Sequence, residues 1–200
     1  MKETKLVFFD VETGGLDPAR HPIIQFAAVA TDAAFQEVEA LEVKVLFDSA
    51  AAEPEALEKN HYDPVVWKAD GVSEAVALSR IADFVRRHAT MEFVARMCAF
   101  NARFDAEFVA QWFKRAGIFF PGACYEALCS LHLARWASWG DPQPPADHTL
   151  SSVCAWLGVP LAAGDAHDGL ADVRATVEVT RRLAARMGLR CAGGGNGDHG

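Results

Sequence analysis

The stretch FFDVETGGL, residues 8–16, decides the fold. With the preceding Lys5, Leu6 and Val7 it forms a short aromatic and β-branched run, the composition of a buried strand. Asp10 and Glu12 stand two positions apart, so on a strand both carboxylates emerge on one face. Desolvating two neighbouring carboxylates is costly unless something positive meets them. The rest of the chain has to supply the reason for them.

Working outward, PIIQFAAVATD (22–32) and FQEVEALEVKVLF (35–47) predict two more strands joined by a turn near Ala33. SEAVALSRIADFVRRH (73–88) sets Ala77, Ile81, Phe84 and Val85 on one helical stripe. MEFVARMCAF (91–100) predicts a second buried strand. NARFDAEFVAQWFKRAG (101–117) predicts a helix, with Asn101 as N-cap and Gly117 as its stop. YEALCSLHLARWAS (125–138) and TLSSVCAWLG (149–158) read as two shorter helices, and a last helix runs from about Asp168 to Met187. Strands first and then alternation with helices predict an α/β fold: a mixed sheet of five strands with helices on both faces. One domain is expected over residues 1–190, followed by a disordered Gly-rich tail at 191–200.

The totals narrow the function classes. Two hundred residues, 51% hydrophobic and 23% charged, suit one folded domain with a substantial core. A net charge of −8 opposes a protein that coats long nucleic acid through a broad basic surface, but not an enzyme that grips a few phosphates. No apolar run reaches the ~20 residues of a membrane span, and the first residues lack the apolar core of a signal peptide. Five cysteines form no C-x-x-C pair and read as thiols of a reducing compartment, so the cytoplasm is expected.

Further acids join the first two. Asp105 falls in the first turn of its helix, where the helix dipole favours a carboxylate. Asp172 lies one turn into the last helix, and His167 precedes it by five residues, in the loop before that helix. Each residue alone reads as an ordinary cap or solvated group. Together, carboxylates at the ends of elements that converge on one sheet edge would repel one another without cations. Such an all-oxygen set suits Mg²⁺ or Mn²⁺, and two ions ~3.5–4 Å apart suit a phosphodiester displacement. Other loops fit less well. An EF-hand counted from Asp10 would place His21 where Glu is required, and Glu12 stands where an aspartyl-phosphate phosphatase needs Asp. Neither a P-loop nor a nucleophile elbow occurs.

FFDVETGGL, FNARFD (100–105) and HDGLADV (167–173) resemble the three motifs of the DEDDh class of 3′–5′ exonucleases, the DnaQ-like branch of the ribonuclease H-like fold. They stand in that family's order and span most of the chain. The resemblance implies two divalent cations, Mg²⁺ or Mn²⁺, held by Asp10, Glu12, Asp105 and Asp172, with His167 as general base and nucleoside 5′-monophosphates as products. It also implies that the backbone at Thr13 meets the terminal 3′-OH and that Leu16 lies against the end base, although core packing is an equal reading of Leu16. Asn60 and His61 fall where such enzymes carry a substrate-side loop; the alternative is a turn followed by Trp67 packing on the core. Arg103 could contact phosphate or stay solvated. The chain departs from the family at Phe100, where His is common.

The expected substrate is the 3′ end of single-stranded nucleic acid, with DNA favoured and RNA possible. An exoribonuclease that trims RNA 3′ ends is one alternative, and a non-catalytic nucleic-acid or polymerase-binding module another. The latter would be expected to lack one of the acids. No tail for a polymerase or clamp is evident, and no membrane partner is expected.

Overall fold

β1 (Leu6–Thr13) occupies the middle of a five-stranded sheet whose order is β3-β2-β1-β4-β5. A computed structural model of the protein describes residues 5–89, 95–122, 126–161 and 168–189. β2 (Ile23–Thr31) and β3 (Glu37–Lys44) follow β1 as an antiparallel meander. The turn between them closes at Ala33–Ala34, where Asp32 Oδ1 accepts from the amides of Ala34 and Gln36. Then β4 (Arg96–Ala99) and the two-residue β5 (Leu128–Cys129) add to the other side of β1 in parallel.

Alternation along β1 assigns its two faces. Val7, Phe9 and Val11 point to one side, onto α3 (Glu74–His88) and α4 (Ala102–Arg115). Phe8 points to the other, with Val173 and Val177 of α7 (Gly169–Arg186). Helices therefore cover both faces, as expected. Phe8, Phe9 and Phe26 are fully buried, and each such side chain contributes about 1.5–3 kcal/mol. α5 (Ser130–Ala137) and α6 (Leu150–Leu157) pack on α7 in a satellite core built from Ala134, Val153, Ala175 and Leu183.

The structure corrects the sequence reading in the connecting segments. Residues 126–138 do not form one helix: Leu128 and Cys129 pair with β4 before α5 begins. Two short helices that were not expected, α1 (Pro54–Lys59) and α2 (Pro64–Asp70), flank the expected turn at residues 60–61. Proline opens both, and Asp63 caps α2 through the amides of Val65 and Val66. Trp67 is buried as anticipated, its Nε1 donating to Ile24 O. Asn101 stands at the N-cap of α4 but its side chain makes no capping bond. Gly117 ends that helix at φ +68°, with Ile118 N donating to Phe113 O. The tail at 191–200 and His167 lie outside the described residues.

Candidate active site

The site forms where β1 outruns β4. The parallel pairing stops at Phe8–Cys98, and β1 continues through Asp10 and Glu12 without a neighbour on that side in the ladder. Asp105, buried in the first turn of α4, fills the gap: its Oδ1 accepts from Val11 N at 3.2 Å. The carboxylate thus satisfies a strand amide that would otherwise be orphaned. On the other side, the ladder with β2 slips between Glu12 and Thr13. Such irregularities re-aim side chains and recur beside active sites.

α7 brings the fourth carboxylate. Asp10 and Glu12 pair across the sheet with Ala27 and Gln25. Gly169, the first residue of α7, sits on those same two residues; a Cβ there would stand 3.0 Å from Ala27 Cβ. This close approach sets the first turn of α7, with Asp172, over the acidic end of β1. Asp168 caps the helix through Ala171 N.

Electrostatics record the convergence. Burial and then the nearby Asp172 carboxylate push Asp10 up to about 7. Burial, Asp10 and Asp172 raise Glu12 to about 8, with Lys59 acting in the opposite direction. Asp105 is also held well above the ordinary carboxylate range, by burial first and then by Asp10, although its bond from Val11 N opposes the shift. Among the described residues no three acidic, His or Cys side chains close on a single point as a ready-made cation cage. They are close enough to repel, and every donor is a hard oxygen of the kind Mg²⁺ and Mn²⁺ take.

These shifts predict an inverted pH dependence of stability. The folded chain keeps protons on Asp10 and Glu12 that the unfolded chain, with ordinary carboxylates, gives up from about pH 4. Stability therefore falls as pH rises through the window between about 4 and 8. In EDTA, the melting temperature should drop from about pH 5 to about pH 8.5, and Asp10→Asn should flatten that slope. Equal slopes for the two proteins in differential scanning fluorimetry would contradict the assignment.

A cleft of 290 Å³ opens beside Glu12, lined by Thr13, Leu16, Lys59, Asn60 and Phe104 among others. Leu16 is 79% exposed at this cleft, which removes the core-packing reading. Asn60 is buried, and its Nδ2 donates to Thr13 O at 2.9 Å, so it ties the end of α1 to the end of β1. His61 is exposed with φ +49° and does not line this cleft. Arg103 is exposed on a different cleft. Phe100 packs, half-buried, against the satellite core of α5, α6 and α7.

Sequence reasoning missed Lys59 and Phe104 as cleft residues, and the role of His21. Lys59 sits on a helix that was not expected, and Phe104 is part of the quoted FNARFD motif. His21 is buried; its Nδ1 accepts from Asp17 N at 3.0 Å, and its Nε2 lies 3.4 Å from Glu53. A Cβ on Gly15 would stand 2.4 Å from that ring. Gly15 thus lets the loop carrying Leu16 close over His21, while the preceding Gly14 lies against Ala52 and Pro22.

This sheet order, with acids gathered at the end of its central strand, defines a ribonuclease H-like α/β fold of the DEDDh exonuclease class. The sequence model of the exonuclease family RNase_T matches residues 7–180, and the chain belongs to that family. Ribonuclease T of Yersinia enterocolitica is 31% identical over 90% of this chain and 84% of its own. The PolC-type DNA polymerase III of Oceanobacillus iheyensis is 29% identical over 92% of this chain but only 12% of its own. Among solved structures, Escherichia coli exonuclease I in complex with a dT13 oligonucleotide superposes with a TM-score of 0.75 at 23% identity. It shares the fold over 92% of this chain, which spans 42% of that one. The chain is thus a 3′–5′ exonuclease by family. Among the described residues no helix is long and apolar enough to cross a membrane.

Proposed function

We propose that the protein removes nucleotides one at a time from the 3′ end of single-stranded nucleic acid and releases nucleoside 5′-monophosphates. The observation that carries this reading is the convergence of Asp10, Glu12, Asp105 and Asp172 beside the cleft at Leu16. Those carboxylates would hold two divalent cations, Mg²⁺ or Mn²⁺. Bound there, the cations would lower the pKa of the attacking water and neutralise charge on the leaving 3′ oxygen.

The chain's own residues do the rest. Thr13 and Asn60, locked together, shape the floor of the cleft where the terminal nucleotide enters. Leu16, exposed at its mouth, offers an apolar surface to the end base. Lys59, close enough to lower the pKa of Glu12, is placed to meet a phosphate on the cleft side. The imidazole of His167 takes the proton from the attacking water, a role that histidine side chains commonly fill as general bases.

DNA is the favoured substrate from the look of the first and third motifs. RNA is the second reading, supported by the relatives named ribonuclease T. The deciding experiment uses 3′-labelled and 5′-labelled single-stranded DNA and RNA of equal sequence with Mg²⁺, Mn²⁺ or EDTA. Immediate release of the 3′ label as mononucleotide, a 5′-labelled ladder that shortens stepwise, and silence in EDTA are expected. Internal cuts, or cleavage from the 5′ end, would overturn the reading, and no cleavage with either metal would favour a binding module.

A further inference from the structure

α5 ends in a surface that the catalytic cleft does not use. Trp136 and Trp139 are 72% and 84% exposed, their ring centroids 6.4 Å apart and tilted by 40°. With His132 and Arg135 they line a cleft of 190 Å³. His132 also lines the adjoining cleft of 390 Å³, whose far wall includes Ala102, Arg103 and Ala106 on the first turns of α4. That turn carries Asp105, and Phe104 beside it lines the catalytic cleft on the other flank. The catalytic cleft and the Arg103 cleft border the first turn of α4 from its two flanks, through Phe104 and Arg103, so a strand leaving the acids across that turn would pass Arg103 and His132 to the two tryptophans.

The chemistry of the path suits one occupant. Single exposed apolar residues are ordinary, but neighbouring exposed tryptophans that share a cleft with an arginine are not. Arg87, Arg174, Arg182 and Arg186 are engaged by carboxylates. Arg103 and Arg135 have no such partner among the described residues, as is also true of Arg20, Arg80, Arg96 and Arg115; what sets these two apart is that their clefts join at His132 and reach the exposed tryptophans. In a chain of net charge −8, arginines without a carboxylate partner in such a place fit a polyanion, and among the described residues Glu107 is the one acid on the lining. Aromatic faces accept any base, while cations follow the backbone.

We propose that the path from Arg103 through His132 and Arg135 to Trp136 and Trp139 seats the single strand upstream of the scissile end, with bases stacked on the two indoles. The proposal rests on the exonuclease reading, in which a dinucleotide fills only the catalytic cleft.

Binding is read by anisotropy of a 5′-labelled oligo(dT) of about 12 nucleotides in EDTA, a length within the ~4–16 nucleotides such surfaces engage, so the readout is independent of turnover. Trp136→Ala/Trp139→Ala should weaken binding ~10–100-fold. Arg135→Ala should weaken it less and make its salt dependence shallower. The exposed Phe119, away from the path, is the control, and Phe119→Ala should change nothing. Cleavage of a dinucleotide by the double variant should stay at the wild-type rate. Unchanged affinity in the double variant would overturn the path. Unchanged affinity with loss of a dimer in sedimentation would overturn it too and mark the patch as a self-association face. Wild type that binds through these tryptophans yet cleaves neither substrate would support the path and count against the exonuclease reading.

Discussion

Asp10→Ala and Asp172→Ala should each lower turnover by more than ~10³-fold, beyond the ~10²–10³ that one hydrogen-bond donor to a transition state is worth. The two carboxylates come from β1 and α7, and burial first and then the charge of Asp172 raise the pKa of Asp10. Removing either leaves the proposed cations under-held, so no partial mechanism survives. The fold should persist, because neither side chain belongs to the apolar clusters that hold the sheet and helices together. In EDTA at about pH 8, Asp10→Asn should even raise the melting temperature, since it removes a carboxylate whose ionised form burial disfavours. Circular dichroism and single-turnover kinetics on a labelled oligonucleotide decide the matter. Activity within ~10-fold of wild type in a folded variant would remove that residue from the proposed site.

His167→Ala is expected to slow turnover by ~10²–10⁴-fold, the usual worth of a positioned general base. Cation binding should be nearly unchanged, because the imidazole is assigned to the water's proton and not to the ions. KM should move little while kcat falls. Titration of Mn²⁺ by calorimetry separates the two roles. An unchanged rate would exclude His167 as base, and a rate restored by excess Mn²⁺ would recast it as a ligand.

Much of the site was legible in the chain before any fold was known. Asp10 and Glu12 announce themselves because strand periodicity places them on one face, a local property. Asp105 and Asp172 are legible for the same reason: each stands in the first turn of a strongly periodic helix. The expected sheet was also right, although its fifth strand, Leu128–Cys129, is too short to carry a periodic signal and was folded into a helix. α1 and α2 escaped notice because helices of six and seven residues have no more than two turns to display a stripe.

What the sequence by itself determined is the identity and local presentation of the acids and the fold that carries them. Only the tertiary structure decided what surrounds them. The bond from Val11 N to Asp105 spans 94 residues, and that from Asn60 to Thr13 spans 47. Leu16 stands in solvent and Phe100 rests on α5, α6 and α7, though both are equally apolar on paper. Trp112 is buried and Trp139 bare for the same reason. Periodicity reports which residues share a face of one element, whereas burial depends on which element arrives from elsewhere in the chain to cover that face.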